Sequence, residues 1–334
     1  MYWIKDKLSK SGLFNRFLLL LPDKWIRSFR PLNEVIIEAS SFCNLRCPFC
    51  IQRSSTKERG FLSLGQLKEI EGYLPKSIKK ITLHFSGESF ANPEFPAMIK
   101  FLKEKGYVLT VSTNGTMPVE KYREAIAAGL DNLIFAMDGA TPETQEKYRI
   151  NSNFENIVKT LREISAIRPR QTKIIIQFLV MKFNEHEMGA IEELGREAGV
   201  DAIWFKSASF NIGSTSELQE KLLENALEFL PTDLNNSRYR LRDNRLINID
   251  KPKTCPWIWR SVILWNGDVN ICCTDLEGSV VIGNVFEEKS FTKIWESEKY
   301  AKIRRAIIKQ SLPICKNCSI ANKPIIKEIK ISKL

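Results

Sequence analysis

The chain has 334 residues, of which 43% are hydrophobic and 27% are charged, and its formal net charge is +11. This composition excludes a disordered chain, and the length allows one large domain with a smaller one. No stretch approaches the ~20 apolar residues of a membrane-spanning helix, and the apolar run 17–21 is too short for a signal peptide. The sequence therefore predicts a cytoplasmic protein without a membrane span. Because the positive charge is diffuse, nucleic acid is not an expected partner.

The opening residues carry an apolar stripe at helical spacing. The residues of this stripe are Phe14, Phe17, Leu18, Leu21 and Trp25. Pro22 interrupts the pattern, which predicts a break in the helix. The stripe could lie on a membrane surface, but packing against the main domain is the expectation, since most apolar stripes face a core. We assign residues 1–32 to an N-terminal helical extension.

Strands alternate with helices from residue 33 to about residue 210. The predicted strands are Val35–Ala39, Lys80–Phe85, Val108–Ser112, Leu133–Met137, Ile174–Val180 and Ala202–Phe205. The predicted helices between them are Leu64–Leu74, Phe95–Lys105, Val119–Ala128, Phe154–Ile167 and Glu187–Ala198. This alternation predicts a parallel sheet, open or curled into a barrel. Functional sites on such sheets form at the carboxyl ends of the strands.

The pattern changes after residue 210. A helix is predicted over Ser216–Leu230, and 231–252 is polar and irregular, so 211–254 is assigned as a connecting region. A separate module is predicted over 255–334. It begins with a β-hairpin, for which Asn266-Gly267 suits a two-residue type I′ turn. The further elements predicted in this module are the helices Phe291–Glu296 and Glu298–Lys309 and, from Lys323, a short strand or helix.

The eight cysteines are unevenly distributed. Three lie within residues 43–50, the next 204 residues contain none, and five follow between residues 255 and 318. Without a secretory signal, clustered cysteines indicate metal or redox chemistry rather than disulfides.

The first cysteine cluster has the spacing C-x3-C-x2-C, formed by Cys43, Cys47 and Cys50 on a loop after the first predicted strand. A [4Fe–4S] cluster normally takes four cysteines. Three thiolates leave one iron with an open position, and metal catalysis takes place at open positions. A zinc site is the alternative, with His84 as its fourth ligand.

This motif, after the first strand of a βα series, resembles the signature of the radical S-adenosylmethionine (SAM) superfamily. The resemblance implies a partial (β/α)6 barrel over 33–210, with SAM bound to the open iron through its amino and carboxylate groups. One electron then cleaves SAM, and the 5′-deoxyadenosyl radical abstracts a hydrogen atom from the substrate. The cofactor supplies the difficult chemistry, and the protein supplies orientation.

Several further residues match positions of that family. Phe49 resembles the aromatic residue that packs on the adenine. Gly87 and Glu88 resemble the end of the Gly-Gly-Glu motif, in which the carboxylate holds the methionine amino group; the first glycine is Ser86 here. Ser112 and Asn114 lie in a segment that resembles the lining of the SAM pocket.

The fourth-strand segment ending at Asp138 also resembles the family, although Ala136 stands where a ribose-binding serine is common. Arg149 matches an arginine that binds the SAM carboxylate, a natural bidentate pairing. Asn184 and Glu187 resemble a recurrent but less diagnostic pair.

The second cluster resembles the auxiliary-cluster module known as SPASM, or its shorter twitch form. Cys255, Gly267 and Cys272 give C-x11-G-x4-C, and Cys315-x2-Cys318 follows. Full SPASM modules carry more cysteines and two clusters, so the resemblance implies a single auxiliary [4Fe–4S] cluster. The implied ligands are Cys255, Cys272, Cys315 and Cys318. Cys273 competes with Cys272, which the glycine spacing favours, and a zinc ribbon is the alternative.

The resemblance implies a radical SAM oxidoreductase acting on a small molecule or a peptide, with a flavodoxin- or ferredoxin-type electron donor. We expect net oxidation or epimerisation of a sugar-like or other small metabolite. The alternatives are a peptide-modifying maturase and, from another class, a non-catalytic metal-binding module with a nucleic-acid or regulatory role. No catalytic acid or base can be assigned. Lys206 is predicted to face the substrate side, but lysines at strand ends are usually solvated.

Overall fold

The computed structural model describes residues 12–50, 58–210, 224, 227–243, 245–275, 278–316 and 318–331. The chain opens with two helices, α1 (Gly12–Leu20) and α2 (Asp23–Ser28), which are separated at Pro22 as predicted. Their buried residues are Phe14, Leu18 and Ile26, which join the main hydrophobic core. Asp23 forms a 2.5 Å ion pair with the buried Arg304 near the other end of the chain. The helices therefore pack on the main body as expected, but Phe17 and Trp25 of the predicted stripe are 47% and 57% exposed.

Six parallel strands form the centre of the fold. Their order in the sheet is the same as their order along the chain. They are β1 (Glu34–Ile37), β2 (Lys80–Thr82), β3 (Val108–Thr113), β4 (Asn132–Ala136), β5 (Lys173–Val180) and β6 (Ala202–Ser207). The helices between them are α3 (Leu64–Tyr73), α4 (Phe95–Glu104), α5 (Val119–Ala127), α6 (Pro142–Tyr148), α7 (Phe154–Ile167) and α8 (Met188–Glu197). The predicted βα alternation is confirmed, with element ends displaced by a few residues. Helix α6, which begins at a capping box on Thr141, was not predicted.

Side chains alternate between the two faces of these strands. One face packs under the helices in the main core, where Ile203 and Phe205 of β6 lie. The opposite, inner face carries a separate small apolar cluster that includes Ala202 and Trp204. Lys206 follows in the same alternation, so its side chain lies on the inner face at the carboxyl end of β6. The inner face is therefore polar at the end of the sheet where functional sites form.

The C-terminal region extends this sheet instead of forming a separate one. Strand β9 (Val262–Ile263) pairs in parallel with β1, and β10 (Asp268–Asn270) and β11 (Val281–Asn284) follow antiparallel. The predicted hairpin is confirmed, but the two-residue type I′ turn is wrong. Gly267 alone has positive φ (87°), and its N–H donates to the Leu264 carbonyl. The turn is therefore longer, with the glycine closing it as a bulge.

The opposite edge is covered by β12 (Ile325–Lys330), antiparallel to β6, so the C-terminal tail forms a strand. The region predicted as irregular contains a hairpin of β7 (Tyr239–Arg242) and β8 (Arg245–Asn248), so that prediction was wrong. Most of the predicted helix over 216–230 lies outside the described residues. The remaining helices are α9 (Val285–Glu288), α10 (Phe291–Glu296), α11 (Glu298–Ile308) and α12 (Pro313–Lys316). Across the described ranges, no helix is both long and apolar enough to cross a membrane.

Candidate cofactor sites

The first cysteine loop lies at the carboxyl end of β1, where the sequence places it. Backbone hydrogen bonds anchor both of its sides, from Ser41 N–H to the Gly60 carbonyl at 3.0 Å and from Arg46 N–H to the Ile150 carbonyl at 3.1 Å. Cys47 is buried, and Cys43 and Cys50 are half-buried. Protein contacts thus hold the loop between β1 and the segment that follows α6.

The three thiols lie close enough to influence one another electrostatically. Burial raises the pKa of Cys47 to about 12, although nearby Arg149 opposes that shift. Burial also raises the pKa of Cys43. Because iron binds thiolates, loading a cluster here must release protons, and the Arg149 cation favours the resulting negative charge. Three thiols fit a four-iron cluster with one open iron. Within the described ranges, no three Cys, His, Asp or Glu side chains are grouped closely enough for a single metal ion.

Gly87 and Glu88 lie against this loop at the end of β2. A Cβ added at Gly87 would collide with the carbonyl oxygens of Ser40 and Phe42, so the close approach of two backbones requires glycine. The Glu88 N–H donates to the Phe42 carbonyl at 2.8 Å. The glycine of the family motif is therefore required for steric reasons in this chain.

The buried Glu88 carboxylate organises the segment after β3. It accepts hydrogen bonds from the Thr113 hydroxyl at 2.9 Å and the Asn114 N–H at 2.7 Å. Burial raises the pKa of Glu88, and these hydrogen bonds oppose the shift. Asn114 Nδ2 lies 3.7 Å from Cys43 Sγ and donates to Asn44. The structure thus brings Glu88 and Asn114 together beside the cysteine loop.

Asp138 and Arg149 form an ion pair at the end of β4. Arg149 Nε lies 2.6 Å from Asp138 Oδ2, and the two side chains are 13% and 0% exposed. Burial disfavours the Arg149 charge, but the Asp138 carboxylate and the Cys47 thiol raise its pKa. Asp138 also accepts from the Leu179 N–H at 2.8 Å. The pair aims a guanidinium at the cysteine loop while its terminal nitrogens make no hydrogen bond to the described residues.

Asn184 and Glu187 serve the framework of this corner. Asn184 Nδ2 donates to the Asp138 carbonyl at 2.7 Å. Glu187 accepts from the Ala140 N–H at 2.9 Å and from the Thr144 hydroxyl at 3.0 Å. These contacts fasten the segment after β4 to the segment after β5, so both residues act by positioning Asp138.

Phe49 lies in an aromatic cluster that the sequence did not reveal. Its ring centroid is 4.7 Å from that of Phe210, 4.9 Å from that of Phe229 and 5.8 Å from that of Tyr148. Edge-to-face contacts of this kind stabilise aromatic pairs. No local pattern links residues so distant in sequence. The cluster provides an apolar wall beside the cysteine loop, of the kind that an adenine ring could contact.

The inner face of the barrel at this level is polar. Ser112 N–H donates to His84 Nδ1 at 3.0 Å, and burial lowers the pKa of His84 to about 4. Its imidazole is therefore neutral, and its Nδ1 already accepts a hydrogen bond from the backbone. Ser86 donates to the Glu38 carboxylate, and Lys206 Nζ donates to Gln177 Oε1 at 2.9 Å.

The second cysteine site gathers side chains from three separate segments. Burial raises the pKa of Cys255 to about 12, and nearby Cys318, Cys272 and Cys315 raise it further. Lys251 Nζ donates to the Cys315 carbonyl at 2.5 Å. The structure thus brings together the four thiols named from the sequence, and four thiolates can ligate every iron of a cluster.

Cys272 and Cys273 both lie near this group but differ in their neighbours. The Cys272 thiol raises the pKa of both Cys255 and Cys315. The Cys273 thiol is influenced by Cys272, Cys255 and Cys318, and Cys273 and Cys255 both pack against one apolar cluster. Because both thiols lie near the group, the choice of Cys272 as the fourth ligand stays the prediction that the glycine spacing makes.

Two matched substitutions test this choice. We expect Cys272→Ala to lower the iron content of the anaerobically reconstituted protein from about eight to about four atoms per chain, since a ligand is lost. Cys273→Ala should retain about eight, because a small packed residue is replaced by another. Iron and sulfide analysis of both variants measures this. Loss of iron in Cys273→Ala alone would reverse the assignment.

A partial α/β barrel with an open three-cysteine loop and a second four-cysteine site defines a class of iron–sulfur enzymes. Residues 37–194 match the radical SAM superfamily, and residues 255–319 match the iron-sulfur cluster-binding domain SPASM. The chain therefore carries a radical SAM domain followed by a SPASM domain. These domains imply a [4Fe–4S] cluster with SAM and auxiliary iron–sulfur binding, and the thiol sets above fit these groups.

The chain is similar to the tungsten-containing aldehyde ferredoxin oxidoreductase cofactor-modifying protein of Pyrococcus furiosus. The two are 25% identical over 322 residues, covering 86% of this chain and 88% of that protein. Among solved structures, the chain resembles BtrN in complex with AdoMet and 2-DOIA, with a TM-score of 0.52, 14% identity and coverage of 90% of this chain and 99% of BtrN. It also resembles Streptococcus suis SuiB bound to precursor peptide SuiA, with a TM-score of 0.60, 13% identity and coverage of 86% and 71%.

Proposed function

We propose that this radical SAM enzyme carries out net oxidation or epimerisation of a sugar-like or other small metabolite. The observation that carries the proposal is the polar inner face of the barrel, next to the first cysteine site and reaching toward the second. Hydroxyl, amide, imidazole and ammonium groups line this face, and such groups recognise hydroxylated molecules by hydrogen bonding.

When bound, the cluster at Cys43, Cys47 and Cys50 supplies the electron that cleaves SAM to the radical that removes a hydrogen atom from the substrate. The protein residues then have binding roles. Arg149, oriented by Asp138, would bind the SAM carboxylate through its terminal nitrogens.

Glu88 would place a carboxylate near the methionine amino group, and Gly87 would let the backbone approach. Ser112 and Asn114 would line the SAM pocket next to this carboxylate. Phe49 and its aromatic neighbours would enclose the adenine and exclude water, which protects a reactive intermediate.

The second site would carry the auxiliary cluster on Cys255, Cys272, Cys315 and Cys318. Four cysteine ligands leave no iron open for substrate, so this cluster would serve electron transfer. That role suits a net two-electron oxidation, in which an electron must leave the substrate radical. A net charge of +11 also favours an acidic flavodoxin- or ferredoxin-type donor. The cytoplasm, which keeps thiols reduced, is the proposed compartment.

The similar proteins support two different substrate classes. BtrN binds 2-DOIA and the Pyrococcus furiosus protein is cofactor-modifying, which supports a small substrate. SuiB binds the precursor peptide SuiA, which supports the peptide-modifying alternative. The polar groups on the inner face at the carboxyl ends of the strands favour the small substrate here.

The test is SAM turnover by the reconstituted holoenzyme under reductant, with separate low-molecular-mass and peptide fractions of a cell extract. We expect the low-molecular-mass fraction to increase 5′-deoxyadenosine formation. Mass spectrometry should then find a consumed compound that has lost two hydrogen atoms, for oxidation, or that gains solvent deuterium without a change in formula, for epimerisation. Stimulation by the peptide fraction alone would establish the alternative, and absence of SAM cleavage would remove the enzyme proposal.

A further inference from the structure

Lys206 is recessed on the inner face of β6 and carries a positive charge there. Its Nζ makes one hydrogen bond, to the neutral Gln177 side chain at 2.9 Å. Burial and nearby Arg238 lower the pKa of Lys206 to about 8, while Asp138 raises it. The ammonium is therefore still protonated at pH 7, and two of its N–H groups have no partner among the described residues.

Arg238 lies beside Lys206 and immediately precedes β7. It is 7% exposed. Its guanidinium donates to the Ser207 hydroxyl at 3.0 Å, to the Ser207 carbonyl at 2.6 Å and to the Ser319 carbonyl at 2.8 Å. All three acceptors are neutral, and two further N–H groups remain on the guanidinium.

Neither cation forms an ion pair within the described residues, although Asp138 influences Lys206 and Asp250 influences Arg238 electrostatically. In the part of the chain that the structure describes, no carboxylate oxygen lies within 4.0 Å of Lys206 or Arg238. Asp138, the acid that influences Lys206, is already paired with Arg149 at 2.6 Å. Two neighbouring cations removed from water repel each other and lose hydration. Such a pair is costly unless an anion completes it.

The position of the pair connects the two cysteine sites. Lys206 interacts electrostatically with Asp138, next to the first cysteine loop. Arg238 interacts with the Cys273 and Cys318 thiols of the second site. A group bound by both cations would therefore lie between the proposed radical source and the proposed electron acceptor, which is where a substrate must lie.

We propose that Lys206 and Arg238 together bind an anionic group of the substrate, a phosphate or a carboxylate, at the carboxyl end of β6. This inference rests on the function proposed above and narrows its substrate class to anionic metabolites. Arginine presents a planar fork that matches both oxyanions, and lysine adds a compact charge. The anion would fix one end of the substrate, so that the reacting carbon is presented to the SAM side.

The experiment is isothermal titration calorimetry of the anaerobically reconstituted holoenzyme with inorganic phosphate and, separately, with acetate, at constant ionic strength. The test variant is Lys206→Met, which keeps the apolar stem and removes the charge. Lys80→Met is the control, because Lys80 is exposed at the amino end of β2. Cluster absorbance and circular dichroism check that each variant folds. Arg238→Gln is a second variant, since Arg238 also ties β7 to β6.

We expect wild type and Lys80→Met to bind one oxyanion with equal affinity, and Lys206→Met to bind it at least about tenfold more weakly. Binding of phosphate or of acetate identifies which oxyanion the pair prefers. The proposal is overturned if neither anion binds wild type, or if Lys206→Met binds as wild type does. Formation of 5′-deoxyadenosine in the same wild-type preparation reports on the proposed function separately, because it needs no bound phosphate or acetate.

Discussion

Replacing Cys43, Cys47 and Cys50 together by alanine should lower bound iron from about eight to about four atoms per chain and abolish 5′-deoxyadenosine formation. The reason is that, in the proposed function, these three thiols supply all the protein ligands of the open cluster, while the second site uses other segments of the chain. Iron and sulfide are measured after anaerobic reconstitution, and SAM turnover is followed under reductant by chromatography.

Cys273→Ala is the matched control for a cysteine substitution that should leave both clusters in place. It should hold about eight irons and still cleave SAM. The prediction fails if the triple variant keeps full iron or continues to cleave SAM. Copurifying zinc in wild type, with about four irons, would instead remove the auxiliary cluster and with it the preference for oxidation.

The features that sequence reasoning recovered are those encoded by short spacing. The cysteine loop follows β1 as predicted, and Gly87-Glu88 follows β2, because motif and strand are adjacent in the chain. Parallel strand order then brings their carboxyl ends to one edge. This strand order brings Glu88, Asn114 and Cys43 together. The residue types taken one by one do not predict that contact.

The features that sequence reasoning missed depend on pairing over long separations. The pairing of β9 with β1 joins residues more than 220 positions apart, and the β7–β8 hairpin is built from two strands of four residues, in which the alternation of Tyr239–Arg242 is too short to be diagnostic. Phe210 and Phe229 meet Phe49 only because the end of β6 returns over the cysteine loop. Such contacts are selected by register and packing in the folded state, which local periodicity does not contain.

Lys206 is interpreted differently from the sequence alone and from the structure. The sequence predicts that Lys206 faces the substrate side, but a lysine at a strand end is usually solvated. Its placement on the inner face, beside a buried arginine and without a carboxylate partner among the described residues, gives it a cost in stability. Natural proteins tolerate such a cost at functional positions, so the apparent defect supports a binding role.

Replacing Arg149 by methionine should weaken SAM binding about 100-fold and destabilise the protein by about 3–5 kcal/mol. The first effect follows because the guanidinium is the cation positioned to bind the SAM carboxylate. The second follows because the fully buried Asp138 carboxylate would lose its cation, leaving the Leu179 N–H at 2.8 Å as its donor among the described residues. Equilibrium dialysis with labelled SAM and urea denaturation under anaerobic conditions measure the two effects separately.

The double variant Arg149→Met/Asp138→Asn distinguishes binding from packing. A neutral amide in place of the carboxylate removes the unpaired buried charge, so much of the lost stability should return. SAM affinity should stay about 100-fold weaker, because the guanidinium is still absent. Asp138→Asn alone leaves the guanidinium in place but less firmly aimed, and we expect a smaller loss of affinity. If the double variant bound SAM as tightly as wild type, Arg149 would act only through the structure of this corner, and the SAM carboxylate would need another partner.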